Sequence, residues 1–246
     1  MAVAVEHCSF ARKLGAFVSL TLPEHDTISG LLSKRKTFSA GAEVIYQGEA
    51  QNRVYVVSRG WVCSYKILRG GTRQILGFDI PGDFIGLRSL LFRSSDYNAA
   101  PVTEVEASEI SSSEILRLFN TNPRLGTAFL WAASRDEAMV VEHLISIGRR
   151  DALERTVHFL LELGARLLLV GIGTQEGYSC PLSQTLLADA LGLSSVHVNR
   201  VLRQLREENL LTFREGHVAF LNVNALVSLS GFDLNYLDQS GPLLRQ

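Results

Sequence analysis

Residues 181–205 read PLSQTLLADALGLSSVHVNRVLRQL, and their pattern sets the architecture around them. Ser183 offers a side-chain oxygen to the free N–H groups of a helix start. Residues 184–191 then turn Leu187, Ala188 and Leu191 to one face. Gly192 permits the positive-φ turn that ends such a helix, and Leu193 plugs the corner. Ser194 is placed to cap a second helix reaching about Glu208, with Val198, Val201, Leu202 and Leu205 inward. A small residue at Ala188, glycine four later and β-branched Val198 six after that let two helices cross closely at a steep angle, the helix-turn-helix arrangement.

The other face of the second helix carries Ser195, Val196, His197, Asn199, Arg200 and Arg203. Between Ser194 and Arg206 there are three arginines, one histidine and no acid, although 181–221 as a whole is nearly neutral. A concentrated positive face suits a DNA major groove, where arginine forks onto guanine, asparagine pairs with adenine and short hydroxyls hold phosphate. Ser183, Gln184 and Thr185 are placed to meet phosphate at the start of the first helix, helped by its free N–H groups. Ser194 joins them at the second. Residues 210–213, a turn at Arg214-Glu215-Gly216 and residues 217–221 then read as a β-hairpin, which makes the unit a winged helix. Arg214 and His217 fit a neighbouring phosphate and an ordinary surface equally well.

Upstream, residues 38–113 read as β-structure. Gly41, Gly48, Gly60, Gly70, Gly71 and Gly82 punctuate short apolar runs over 44–47, 53–57, 61–68 and 73–78, the rhythm of a sandwich or barrel. In the third run Trp61, Cys63, Tyr65 and Ile67 alternate with Ser64 and Lys66. Near Asn122-Pro123 the pattern turns helical. Over 124–146, Phe129, Ala133, Val140 and Leu144 recur at helical spacing, continued by Ile147, with Gly148 expected to break the helix. Roughly 25 residues span about 37 Å, too long for a small β-domain, so this helix is expected to pair with its copy in a second subunit. A further helix over 151–169 and a loop over 171–177 follow. The Gly171-Ile172-Gly173 pair is no dinucleotide fingerprint, because it leads to Ser179-Cys180-Pro181 and opens no helix. The expected units are 1–122 (a sensor-like β-roll with an N-terminal helical segment), 123–148 (the dimerisation helix), 149–231 (the winged helix) and 232–246 (a tail).

Composition fits this reading. Across 246 residues, 24 basic and 25 acidic side chains nearly cancel, and 46% are apolar. That excludes disordered, collagen-like and coiled-coil chains, and it gives no global pull toward nucleic acid or membrane. Three cysteines, Cys8, Cys63 and Cys180, are too scattered for a disulfide framework or a Cys-x-x-Cys metal site. No run approaches the ~18 apolar residues of a membrane span. The start, with Glu6 and His7, lacks a basic leader, so a cytoplasmic location is expected. There is no Walker loop, His-Glu-x-x-His or Gly-x-Ser-x-Gly, and an enzyme is not expected.

A glycine-punctuated β-roll, a long helix and a winged helix-turn-helix, in that order, resemble the CRP/FNR family of bacterial transcription regulators over roughly residues 25–230. The matching residues are Gly48-Glu49, Gly60-Trp61-Val62, the run 74–77 leading to Pro81-Gly82-Asp83-Phe84-Ile85-Gly86, and Val196-His197-Val198-Asn199-Arg200. Phe232-Asp233-Leu234-Asn235-Tyr236-Leu237 resembles a tail seen in a proteobacterial branch. The resemblance implies an α+β chain: a jelly-roll domain like those that bind cyclic nucleotides, a dimerisation helix and a DNA-binding winged helix. Its implied partners are double-stranded DNA, a second copy of itself and RNA polymerase. It implies an effector pocket around Gly82, Asp83, Phe84, Gly86, Leu87, Arg88, Asn98 and Ala99.

Departures from the family pattern matter as much. In cyclic-nucleotide-binding members a glutamate after the last glycine holds the ribose, and an arginine-serine pair about ten residues on clamps the phosphate. Here Leu87-Arg88 and Asn98-Ala99 stand there. A buried phosphate without its arginine lacks a charge-assisted bidentate partner, so tight binding of cyclic AMP is not expected. Iron–sulfur members use several N-terminal cysteines, and only Cys8 is present. His25, His143 and His158 are candidates for haem, although a lone histidine is more often structural. A buried thiol at Cys63 is usually inert. No cofactor or metal is therefore expected, and the effector is unknown or absent. Val196 replaces the glutamate found four residues before the arginine in the best-known recognition helices, so the half-site does not carry over. The competing reading is a ligand-sensing module acting through protein contacts.

Overall fold

The computed structural model describes residues 8–237. Two short helices, α1 (Ser9–Gly15) and α2 (Leu22–Leu31), lead into β1 (Arg35–Phe38), β2 (Arg53–Arg59), β3 (Val62–Ile67), β4 (Arg73–Asp79), β5 (Phe84–Ile85), β6 (Asn98–Pro101) and β7 (Val105–Ser111). These strands form two antiparallel sheets, β1-β7-β2-β5 and β4-β3-β6. Ile45, Val57, Val62, Ile85, Ala99 and Val105 fill the space between them. Residues 44–47 form no strand. The N–H groups of Val44 and Ile45 share the Ala99 carbonyl, and the ladder ends at that one bridge.

Both outer faces of this roll are covered, which explains why β2 buries Val54, Tyr55, Val56 and Val57 in succession and why Val62 is as buried as Cys63. A strand packed on both faces reads as a continuous apolar run and loses its alternation. One outer face packs against α1 and α2, α3 (Ser112–Thr121) and the first half of α4 (Pro123–Arg149), where the rings of Phe10, Phe84 and Phe129 meet at 5.0–5.6 Å.

Asn122 caps α4, accepting from the Leu125 N–H, with Pro123 in the first turn. The helix has 27 residues and runs through Gly148, where a break was expected. A single glycine weakens a helix by only about 1 kcal/mol. The chain turns two residues later because Asp151 accepts from the N–H groups of Leu153 and Glu154 and starts α5 (Ala152–Leu169).

The C-terminal part contains β8 (Gly177–Ser179), α6 (Gln184–Leu191), α7 (Ser195–Glu207), β9 (Leu211–Arg214), β10 (His217–Phe220) and α8 (Val223–Ser230). The wing is a three-stranded sheet, β8-β10-β9, so the span read as a loop ends in a strand. A Cβ at Gly177 would lie 2.1 Å from the Val218 carbonyl, so only glycine lets β8 approach β10. The other outer face of the roll, with Trp61, Cys63, Ile75 and Phe78, packs on Phe159, Leu160 and Leu163 of α5, and the same apolar cluster continues to Leu187, Val198 and Leu205. The β-roll and the winged-helix part thus share an apolar cluster. No helix among the described residues is long and apolar enough to cross a membrane.

Candidate nucleic-acid interface

Two serine caps and one glycine set the crossing of α6 and α7. The Ser183 hydroxyl accepts from the Leu186 N–H at 3.2 Å, and Ser194 does the same for His197 at 3.2 Å. Their O–H hydrogens remain free to donate. Gly192 stands at φ 63°, ψ 37°, and its N–H closes on the Ala188 carbonyl. Val198, Val201, Leu202 and Leu205 face the core.

The opposite face of α7 is open. Ser195, Asn199, Arg200 and Arg203 are exposed, Val196 is 79% exposed, and His197 is half-buried. Arg200 makes no hydrogen bond or ion pair among the described residues. Arg203 donates to Glu207 at 2.8 Å, an acid just outside the window read as free of them. The Asn199 amide donates to the Gln184 side-chain carbonyl at 3.0 Å, joining the two helices across their exposed edge. Gln184 and Thr185 are exposed at the start of α6, and Arg214, Glu215 and His217 at the wing tip. Neither the Glu207 pairing nor the Gln184–Asn199 bond appeared in the reading of the sequence. The first is an i,i+4 pair and was legible there; the second crosses fifteen residues.

The residues placed in an effector pocket separate into two groups. Gly86 donates its N–H to the Tyr97 hydroxyl at 2.9 Å. Arg88 lies over the Tyr97 ring at 4.5 Å and pairs with Asp96 at 3.1 Å. Leu87 is half-buried, Asn98 accepts from the Gln47 N–H at 2.9 Å, and Ala99 is buried between the sheets. Gly82, Asp83 and Phe84 turn away from these. Phe84 joins the aromatic cluster, and Gly82 passes against the Ser9 carbonyl, 2.9 Å from where a Cβ would stand. Asp83 accepts from Lys13 at 2.7 Å and from Arg166 at 2.7 Å. It is an ion-pair centre.

The stripe on α4 also divides along its length. Phe129, placed on the dimer face, is 1% exposed and packed in its own chain, because the β-roll covers this half of the helix. Ala133 is half-buried. Val140, Leu144 and Ile147 lie beyond the roll and are exposed, as are Leu130, Val141 and Ile145; Leu144 reaches 70%.

A chain of buried charge holds the parts together. From Asp83 it runs through Arg166 to Glu162, which accepts from His143 at 2.9 Å and from the Tyr236 hydroxyl at 2.8 Å. Burial alone would raise both carboxyls. Lys13 and Arg166 instead hold Asp83 well below the carboxylate range, and His143 and Arg166 hold Glu162 at about 2. The Phe232–Tyr236 part of the tail packs its rings on His158, and Arg135 donates to the Leu237 carbonyl at 2.6 Å. Residues 238–246, the rest of the expected tail, lie outside the described residues, as do 1–7. Burial raises the Cys63 thiol and pushes Cys180 up to about 12, while Cys8 caps α1.

A winged helix with an open arginine-bearing helix, carried on an antiparallel β-roll, defines a DNA-binding regulator. The cyclic nucleotide-binding domain family matches residues 35–122, and the Crp-like helix-turn-helix domain matches residues 154–229. The nitrogen fixation regulation protein FixK of Rhizobium meliloti is 31% identical over 194 residues, 78% of this chain and 85% of that protein. The transcriptional activator protein Anr of Pseudomonas aeruginosa is 24% identical over 217 residues, 88% of each chain. The structure of FixK2 from Bradyrhizobium japonicum aligns with a TM-score of 0.72 at 26% identity, over 80% of this chain and 96% of that one. The chain belongs to the CRP/FNR family, whose members are DNA-binding transcription regulators and not enzymes.

Proposed function

We propose that this regulator acts as a homodimer on a palindromic promoter site and does so without a cyclic nucleotide. The observation that carries the proposal is the exposed apolar stripe Leu130, Val140, Val141, Leu144, Ile145 and Ile147 on α4. A helix of 27 residues, about 40 Å long, with its first half covered by the β-roll and an apolar face of its second half exposed, is completed by the same face of a second copy. Two-fold pairing there presents two copies of α7 to half-sites about one DNA turn apart, roughly 34 Å. In this reading Arg200, Asn199, Val196, His197 and Ser195 face bases. Ser183, Gln184, Thr185, Ser194 and Arg203 face phosphates.

Independence from cyclic nucleotides has its own support. The Gly86 N–H is occupied by Tyr97, and the nearby Arg88 is occupied by Asp96 and the Tyr97 ring. An anion entering there would have to displace all three. RNA polymerase is proposed as the downstream partner of such a regulator, and the cytoplasm as its place of action.

Replacing Leu144 by aspartate tests the dimer. In sedimentation the parent chain runs as a dimer and L144D as a monomer, and the symmetric footprint on a selected palindrome shrinks to weak half-site binding. A dimer that survives L144D together with the double variant L144D/V140D overturns the interface.

A further inference from the structure

The Gln184–Asn199 bond is the one direct link between the start of α6 and the exposed face of α7 among the described residues. From it we propose that Gln184 is a positioning residue for base reading: it holds the Asn199 amide in the plane that recognises an adenine. The inference rests on α7 being the DNA-reading helix.

The chemistry follows from how each amide is divided. Asn199 gives one Nδ2 hydrogen to Gln184 Oε1 at 3.0 Å. Its second hydrogen and Oδ1 remain, one donor and one acceptor in a common plane, the pair that matches adenine N7 and N6. An unrestrained asparagine at an exposed position gives up rotamer freedom on binding; a tethered one has already lost part of it. Gln184 has its carbonyl engaged, so its NH2 points away from Asn199. It stands in the first turn of α6, beside the Ser183 cap and the unpaired N–H groups, where a phosphate is the natural acceptor. One residue therefore couples a backbone contact to a base contact, and the register set on the phosphate is transmitted to the reader. Arg203, on the phosphate side, is restrained in a comparable way by Glu207, whereas Arg200 has no hydrogen bond or ion pair among the described residues.

The test uses the full-length protein and a site selected from random duplex DNA. Affinities are measured for that site and for each single-base variant, with the parent, Q184A, Q184E, N199A and R200A. The parent is expected to prefer adenine at one pair per half-site by on the order of tenfold or more. Q184A and N199A lower that preference to about threefold or less, and leave the preference read by Arg200 intact. Glutamate keeps the acceptor for Asn199 and repels phosphate. Q184E is therefore expected to retain the adenine preference while binding every duplex roughly tenfold more weakly at low salt. Q184A that weakens all sequences alike with the preference intact overturns the inference, as does N199A without effect on any base while R200A matters. If N199A and R200A both bind like the parent, the reading of α7 itself falls.

Discussion

Arg200 and Arg203 sit one turn apart on the same helix and differ in what holds them. Arg200 has no partner among the described residues, whereas Arg203 is engaged by Glu207 at 2.8 Å on an exposed face. In the proposed interface the free guanidinium of Arg200 reads a base, so R200A is expected to cost about 1–3 kcal/mol at a selected site and to relax one base position. For Arg203 to meet a phosphate it must leave Glu207. Glu207→Gln removes that competitor and a negative charge from the proposed DNA-binding face. It should raise affinity for every duplex alike, with a salt dependence steeper by about one phosphate contact. Fluorescence anisotropy at two salt concentrations with a specific and a scrambled duplex separates the two effects. A gain confined to the specific duplex would remove Arg203 from the phosphates.

Elements were legible in the sequence where their causes are local. Ser183, Gly192 and Ser194 are caps and a turn whose partners lie within four residues, and α6 and α7 stand within a residue of the bounds read from them. Gly192 occupies the left-handed region, and a Cβ there meets nothing closer than 3.9 Å. Gly192→Ala therefore carries backbone strain without a clash, an expected loss of about 1–2 kcal/mol, seen as a lower urea midpoint at unchanged slope. Periodicity also identified α4, but it gives one face and cannot say what covers it. The same stripe is filled by Phe10 and Phe84 around Phe129 and left bare around Leu144. The third wing strand escaped for the converse reason: three residues carry no period, and β8 exists only because β10 lies beside it. The placement of Asp83 was illegible because Lys13 and Arg166 lie 70 and 83 residues away.

At the scale of the whole molecule, the shared apolar cluster and the buried charges make the pH dependence of folding a property of both parts together. Burial, with Arg150 nearby, lowers His158 from 6.5 to about 4. Between those values the unfolded chain takes up a proton that the folded one refuses, so this contribution is full above 6.5 and is lost as pH falls toward 4. Asp79 has the opposite sign. Burial and the neighbouring Asp83 raise it from 3.8 to about 7, so the folded carboxyl keeps a proton the unfolded chain has lost, and stability falls as pH rises across that range. Burial also raises the Asp136 carboxyl, which adds to the sign of Asp79, whereas Glu114 and Glu162, both depressed to about 2 from 4.5, complete their contributions near the unfolded value. His143, raised above 6.5, acts higher. From pH 4.5 to 6.5 His158 therefore opposes Asp79, and the parent's stability is expected to change less steeply than that of a variant lacking either group. Asp79→Asn leaves His158 without that opponent, and its urea-derived stability should climb with pH by up to about 1.4 kcal/mol per unit. His158→Gln leaves Asp79 unopposed and should fall with pH by a similar slope. Parallel slopes in the two variants would mean that neither group is shifted by the packing of the β-roll, α5 and the tail around it.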